Sequence, residues 1–404
     1  MSWSKVSERR WERAIDGIEG RQHYIIIAKA RLDLDVPGAD NELALKEAWK
    51  QLRHEQPRIA TTVENSTKVY EKPDEAALQA WLTATFVVSG APDAETLWDT
   101  VPPIAQTTLY YLPRSSELVL RGHHHVVDGI GLFIFGDEVT RLAPPLAEVL
   151  GVPNQSTPEQ TERVTSLLTG YARKVLGIGP VVKVNSAPAG PGHCRNSRLT
   201  FPPQPTEAII QICKNRKITD FRCLADPSTP SSHYVTSASF DLRRYLPKPY
   251  NSAHYGASVW YSPLPFHLDL PASFWAIPNA LSEYYRTSFR NDPALRLTTP
   301  HYNRFMETFA GSPEYQNTPI PHDALPSSLG VIERYVQHEY GSIASVRDLM
   351  VGVGVVLGMS VFFISTFRET LQVVYSFNDG YEVPADIGRY LEGIRDVLVE
   401  ELLA

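Results

Sequence analysis

The chain has 404 residues, 43% of them hydrophobic, which is more than one hydrophobic core usually takes, so two domains are expected. Its formal net charge of −7 comes with no lysine-arginine cluster interleaved with aromatics, which argues against a nucleic-acid partner. Three scattered cysteines, Cys194, Cys213 and Cys223, form neither a C-x-x-C pair nor an even framework, so a disulfide scaffold is excluded and a reducing, cytoplasmic setting is expected.

Met1 to Asp16 is rich in Arg and Glu and does not read as a signal peptide. His23 to Leu34 is dense in Tyr and Ile and reads as a mostly buried strand, and the stripe Leu45, Trp49, Leu52 marks a helix over Glu42 to Arg53. Leu118-Val119-Leu120 reads as a strand running into His123-His124-His125-Val126-Val127-Asp128-Gly129, with a helix over Ile130 to Leu150 leaving it. Thr157-Pro158-Glu159-Gln160 has the threonine and glutamine of a capping box with proline at the first helical position. That predicts a helix to about Leu176, closing a first domain over residues 1–176. Residues 177–197, made largely of Gly, Pro, Ala, Ser and Asn, read as a linker or crossover, leaving 198–404 as the second domain.

In that second half, aromatic-rich Tyr250 to Trp275 has a spacing that suits strands and tunnel walls, its rings more often core than ligand cage, and Pro278 to Phe289 suits a helix. Leu349 to Phe367 carries no charge and nearly reaches the ~20 residues that span a bilayer. Gly352, Gly354 and Gly358 interrupt it, Val361-Phe362-Phe363-Ile364 is strand-like, and Arg347 and Arg368 flank it without a positive-inside bias, so a helix followed by a core strand is expected rather than a membrane span. Pro384 opens a final helix with Ile387, Tyr390, Leu391, Ile394, Val397 and Leu398 on one face.

The chemistry concentrates in the histidine motif, which places an imidazole four residues before a carboxylate on a strand-to-helix connection, where catalytic groups project. A neutral imidazole with an ordinary pKa near ~6.5 can take a proton from an alcohol at physiological pH if a hydrogen bond on one ring nitrogen fixes the other as acceptor. His124 is the candidate base. Asp128 is expected to brace the loop through an arginine, and Gly129 to supply turn freedom. The competing reading makes His123 to His125 ordinary loop histidines with satisfied hydrogen bonds. No metal is expected, because alternate strand residues face opposite ways and keep His123 and His125 from joining His124 on one ion.

Arg121 to Gly129 resembles the signature of the superfamily that holds chloramphenicol acetyltransferase, the BAHD acyltransferases and the condensation domains of peptide synthetases. His54-Glu55-Gln56-Pro57-Arg58 looks like the condensation-domain segment whose arginine pairs with the motif aspartate, which would be Arg58 here. Phe240 to Pro247, and the tail from Thr366 to Leu403 with Phe377-Asn378-Asp379-Gly380-Tyr381, look like fungal enzymes of the trichothecene 15-O-acetyltransferase kind. The resemblance implies an α/β fold of two chloramphenicol acetyltransferase-like domains, each a mixed β-sheet with flanking helices, with an active-site tunnel at their interface. It further implies His124 as general base with His123 supporting, Asp128 as a structural brace, and Ser365, Thr366 or Asn378 as oxyanion or tunnel groups. The expected reaction is direct transfer from acyl-CoA, acetyl-CoA first, to an alcohol on a fungal secondary metabolite, with no permanently bound cofactor, no membrane partner and a monomeric protein.

Two departures qualify the likeness. The DFGWG signature of plant BAHD enzymes is absent from the C-terminal half, and Lys217 to Tyr234 is short and polar where fungal relatives carry an additional alanine-rich helix. The alternative is therefore a condensation-like protein with changed chemistry, a cyclase or a carrier-protein-dependent ligase. A non-catalytic binding protein is a third reading, which the intact motif argues against.

Overall fold

A computed structural model describes the chain apart from residues 1–5, 8–21, 23, 39, 65–66, 134–142, 154, 176–191, 217–232, 253–254, 257, 270–273, 311–323, 357 and 404. Its contacts form two compact units, neither continuous in sequence: Met1–Gly151 with Leu242–Tyr261 and Ile332–Gly354, and Val152–Asp241 with Ser262–Val331 and Val355–Ala404. This differs from the expected division at 177–197, and pairing explains why. The Ala344–Gly354 strand lies antiparallel along the whole of Ile25–Leu34, which draws it into the first unit, while the capped Pro158–Val175 helix packs on Pro293–Ala310 in the second. Of the predicted linker, residues 177–191 lie outside the described residues, and Cys194 onward is already strand.

The first unit is built on a six-stranded sheet in the order Glu339–Tyr340, Ala344–Gly354, Ile25–Leu34, Glu117–His123, Thr108–Leu112, Phe86–Val88. Only the last neighbours pair in parallel, so the sheet is mixed. Ile25–Leu34 and Glu117–His123 lie at its centre, and the register sets Ile25 opposite both His123 and Gly354. The Glu117–His123 strand is buried almost throughout, as expected of a central strand covered on both faces. The Asn41–Glu55 helix, capped by the Asp40 carboxylate accepting from the Glu42 N–H, turns Trp49 inward to stack on Trp81 at 5.6 Å.

The second unit holds a four-stranded mixed sheet in the order Leu325–Val331, Val361–Phe367, Thr370–Asn378, Cys194–Phe201. The predicted capping box forms reciprocally: the Thr157 N–H donates to Gln160 Oε1 at 2.9 Å and the Gln160 N–H to Thr157 Oγ1 at 3.2 Å. The final helix runs Pro384–Leu403 and buries Ile387, Leu391, Ile394 and Leu398. The helix expected over Pro278 to Phe289 spans Ala276–Asn291, and the aromatic region before it contributes the strand Tyr261–Asp269.

Two expected helices come out differently. The first part of Leu349 to Phe367 is a strand, Ala344–Gly354, followed by a second strand, Val361–Phe367. Its valines are β-branched and alternate with glycine, a composition that disfavours helix, and burial on both faces of a sheet hides the two-residue period that would have marked it. Of the helix expected over Ile130 to Leu150, residues 134–142 lie outside the described residues, Ile130 to Phe133 form turns, and only Leu146–Val149 is helical. Among the described residues no helix is long and apolar enough to cross a membrane.

Candidate active site

The strand that carries the motif ends at His123, where the chain folds back on itself. The Val126 N–H donates to the His123 carbonyl at 2.8 Å, and the buried side chains of Val126 and Val127 hold the turn down. Behind it the backbone of Gly122 lies so close to Thr107 that an added Cβ would sit 3.3 Å from Thr107 Oγ1. Residue alternation then sorts the three imidazoles. The rings of His123 and His125 are neighbours, 4.9 Å apart, and both residues are buried. His123 Nε2 lies 3.0 Å from the Ile104 carbonyl, and because a carbonyl only accepts, that nitrogen carries the proton. His124 is only half-buried, with the rings of Tyr24 at 6.1 Å and Tyr261 at 5.1 Å from its own and its backbone N–H donating to the Tyr24 carbonyl at 3.3 Å. His123, its Nε2 proton on a backbone carbonyl, thus suits a structural role, and His124 is the least buried of the three.

Asp128 is 4% exposed and its carboxylate is taken up by donors. Oδ1 accepts from the Gly131 N–H at 2.6 Å and from Arg243 Nη2 at 2.7 Å, and Oδ2 from the Trp260 N–H at 2.8 Å. Arg243 Nη2 also donates to the carbonyls of Gly256 and Ser258, each at 2.8 Å, so the guanidinium ties the segment before Trp260 to the motif. Asp128 is thus bonded to its own loop through Gly131 and to Trp260, and the arginine that pairs with it is Arg243. Arg58, expected to fill that place, instead donates from Nη2 to the Ala143 carbonyl at 3.2 Å and is buried in the short turn Pro57–Ala60. Arg243 was missed because it lies 115 residues from Asp128 and no local pattern marks it. Two positions after Gly129, Gly131 has a steric reason of its own: a Cβ there would meet Asp128 Oδ1 at 3.0 Å and the Gly256 carbonyl at 3.1 Å.

The remaining candidates belong to the second unit. Ser365 and Thr366 are half-buried on the Val361–Phe367 strand, opposite Gln372 and Leu371. Asn378 is buried and its amide is spent locally: Oδ1 accepts from the N–H groups of Gly192 at 2.8 Å and Gly380 at 3.0 Å, and Nδ2 donates to the Val355 carbonyl at 3.1 Å. An amide so committed is a pin for its turn rather than a donor for a reacting oxygen, which corrects the expectation for Asn378. The same turn brings Asp379 onto Arg195 at 2.9 Å and lays the Tyr381 ring where a Cβ of Gly358 would be, at 2.9 Å.

Just past this turn Glu382 is buried, accepting from the Ser360 hydroxyl at 2.6 Å and the Tyr375 hydroxyl at 2.9 Å. Burial pushes its pKa from 4.5 up to about 6, against the pull of the two hydroxyl donors. The folded chain thus holds this proton more tightly than the unfolded chain. The resulting stability, about 2 kcal/mol for a displacement of this size, is fully present below pH 4.5 and is lost as the pH rises through about 6. Glu382→Gln, neutral at every pH, is expected to flatten the stability profile from about pH 5 to 7 by that amount in urea unfolding, and parallel profiles for variant and wild type would refute the assignment.

No family model matches the chain. Acetyltransferase pigO of Monascus ruber is 25% identical to it, over 100% of this chain and 98% of that protein. The solved structure of a trichothecene 15-O-acetyltransferase from Fusarium sporotrichioides covers 98% of this chain and 95% of its own at 18% identity, with a TM-score of 0.78. The first condensation domain of the calcium-dependent antibiotic synthetase matches 100% of this chain and 96% of its own, at 14% identity and a TM-score of 0.59. Over its whole length the chain therefore shares the condensation-domain-like fold of these acetyltransferase and condensation-domain structures.

Proposed function

We propose that the protein transfers an acyl group, acetyl first, from acyl-CoA to a hydroxyl of a small secondary metabolite, with His124 as general base. The observation that carries this reading is the sorting of the motif: His123 and His125 are buried and Asp128 is consumed by Arg243, Trp260 and Gly131, while His124 alone of the motif's imidazoles stays half-open. In the proposed step His124 takes the proton of the acceptor hydroxyl, the oxygen attacks the thioester carbonyl, and collapse of the tetrahedral adduct breaks the C–S bond. The imidazolium then returns the proton to the departing thiolate, so no covalent acyl-enzyme is needed. Holding the two substrates at contact distance contributes ~7 kcal/mol or more of the barrier reduction, and the base about 10²–10⁴-fold in rate. The hydroxyls of Ser365 and Thr366 are the candidates for the oxyanion donor that such an adduct requires.

The test is incubation with acetyl-CoA and a panel of hydroxylated terpenoids and polyketides, followed by thiol release and product mass. Thiol release matched by a product heavier by one acetyl group is the expected result. A product of unchanged mass with no thiol released would replace transfer by a cyclase reaction.

A further inference from the structure

We propose that Tyr24 and Tyr261 are positioning residues that clamp the His124 ring by means of two independently anchored side chains. The proposal rests on the reading of His124 as the base. Tyr24 has φ +57°, a left-handed conformation in which its Cβ crowds the backbone and which a bulky aromatic rarely adopts. Such strain persists only where the surroundings enforce it, and it gathers at functional sites. Here two hydrogen bonds enforce it: the Tyr24 N–H donates to the Gly354 carbonyl at 2.8 Å, and the Tyr24 carbonyl accepts from the His124 N–H at 3.3 Å. The ring of Tyr24 then meets the imidazole edge-on, at 87° between planes.

Tyr261 is held by a different route. The peptide unit of Trp260, just before it, is fixed on both sides: its N–H donates to Asp128 Oδ2 at 2.8 Å, and its carbonyl accepts from the Leu242 N–H at 2.7 Å. Trp260 itself is 1% exposed, and its indole N–H donates to the Tyr255 carbonyl at 2.9 Å. The Tyr261 ring, carried on this anchored peptide, lies 55° from the plane of His124 at 5.1 Å. Asp128 therefore acts on the imidazole through Tyr261 as well as by shaping the loop. With two rings packed near it and both backbones tied, rotation of the His124 side chain is restricted, which is what a base needs when ~1 Å of misplacement costs about 10²-fold.

The experiment compares Tyr24→Phe, Tyr24→Gly and Tyr261→Leu by steady-state thiol release from acetyl-CoA and by nitrogen-15 NMR of the His124 ring, assigned through His124→Ala. Tyr24→Gly and Tyr261→Leu are expected to lower kcat by about tenfold or more with KM for acetyl-CoA changed by less than about threefold, and to alter the ring tautomer signals, whereas Tyr24→Phe keeps ring and backbone and stays near wild type. The clamp is overturned if Tyr261→Leu leaves both kcat and the ring signals unchanged, or if Tyr24→Phe is as impaired as Tyr24→Gly. Should Tyr24→Gly fail to fold, Tyr261→Leu and Tyr24→Phe decide the matter by the same readouts. Retention of thiol release by His124→Ala would defeat the base assignment alone, and the ring spectra of the tyrosine variants would then decide the clamp without reference to turnover.

Discussion

His124→Ala is expected to lower kcat by about 10²–10⁴-fold while the protein stays folded and its KM for acetyl-CoA barely moves. The size follows from removing the proton acceptor while leaving the substrates in place. The harmlessness to folding follows from geometry: the residue is only half-buried, and the described bond that fixes residue 124, from its backbone N–H to the Tyr24 carbonyl, survives in alanine. His123→Ala gives the opposite pattern. It opens space in a buried site and removes the His123 donor at 3.0 Å from the Ile104 carbonyl, which keeps its bond from Gln22 Nε2 at 2.6 Å, so the loss falls on stability, about 0.5–1.5 kcal/mol for the bond with a cavity cost added. Measuring kcat and urea unfolding for both variants separates the roles. A His124→Ala enzyme that keeps more than about a tenth of the wild-type kcat would remove His124 from the mechanism.

What the sequence made legible here is what depends on neighbours in the chain. The strand into the motif, the capping box at Thr157, the final helix from Pro384 and the separation of His124 from His123 and His125 all follow from local spacing. What was hidden depends on pairing at long range. Arg243 reaches Asp128 from 115 residues away, and a short local match drew the brace to Arg58 instead. The uncharged run through Gly352 and Gly354 was expected to be helix, and what makes it strand is the partner Ile25–Leu34 paired along it. The discontinuous units have the same origin, because a central strand belongs with its partner whatever its place in the chain. Asn378 was misjudged for a related reason: its carbonyl oxygen is claimed by Gly192, 186 positions earlier in the sequence.

The identity of the brace yields the largest expected loss of stability. Asp128→Ala should destabilise the protein by about 3–5 kcal/mol, because Arg243, whose side chain is 12% exposed, is left without its counter-charge and the N–H groups of Trp260 and Gly131 lose their acceptor together. Arg243→Ala should cost less than Asp128→Ala, since the orphaned carboxylate still accepts from those two N–H groups. The pair must therefore be strongly coupled: in a double-mutant cycle Asp128→Ala and Arg243→Ala should interact by about 0.5–3 kcal/mol. The same cycle between Asp128→Ala and Arg58→Ala should return less than about 0.5 kcal/mol, since the described bond of the Arg58 guanidinium goes to Ala143 and the donors to Asp128 are Gly131, Arg243 and Trp260. Urea unfolding of the five variants gives both coupling energies directly. Coupling to Arg58 that matched or exceeded coupling to Arg243 would return the brace to the position first expected from the sequence, and with it the anchoring of Trp260 and Tyr261 through Asp128 would lose its support.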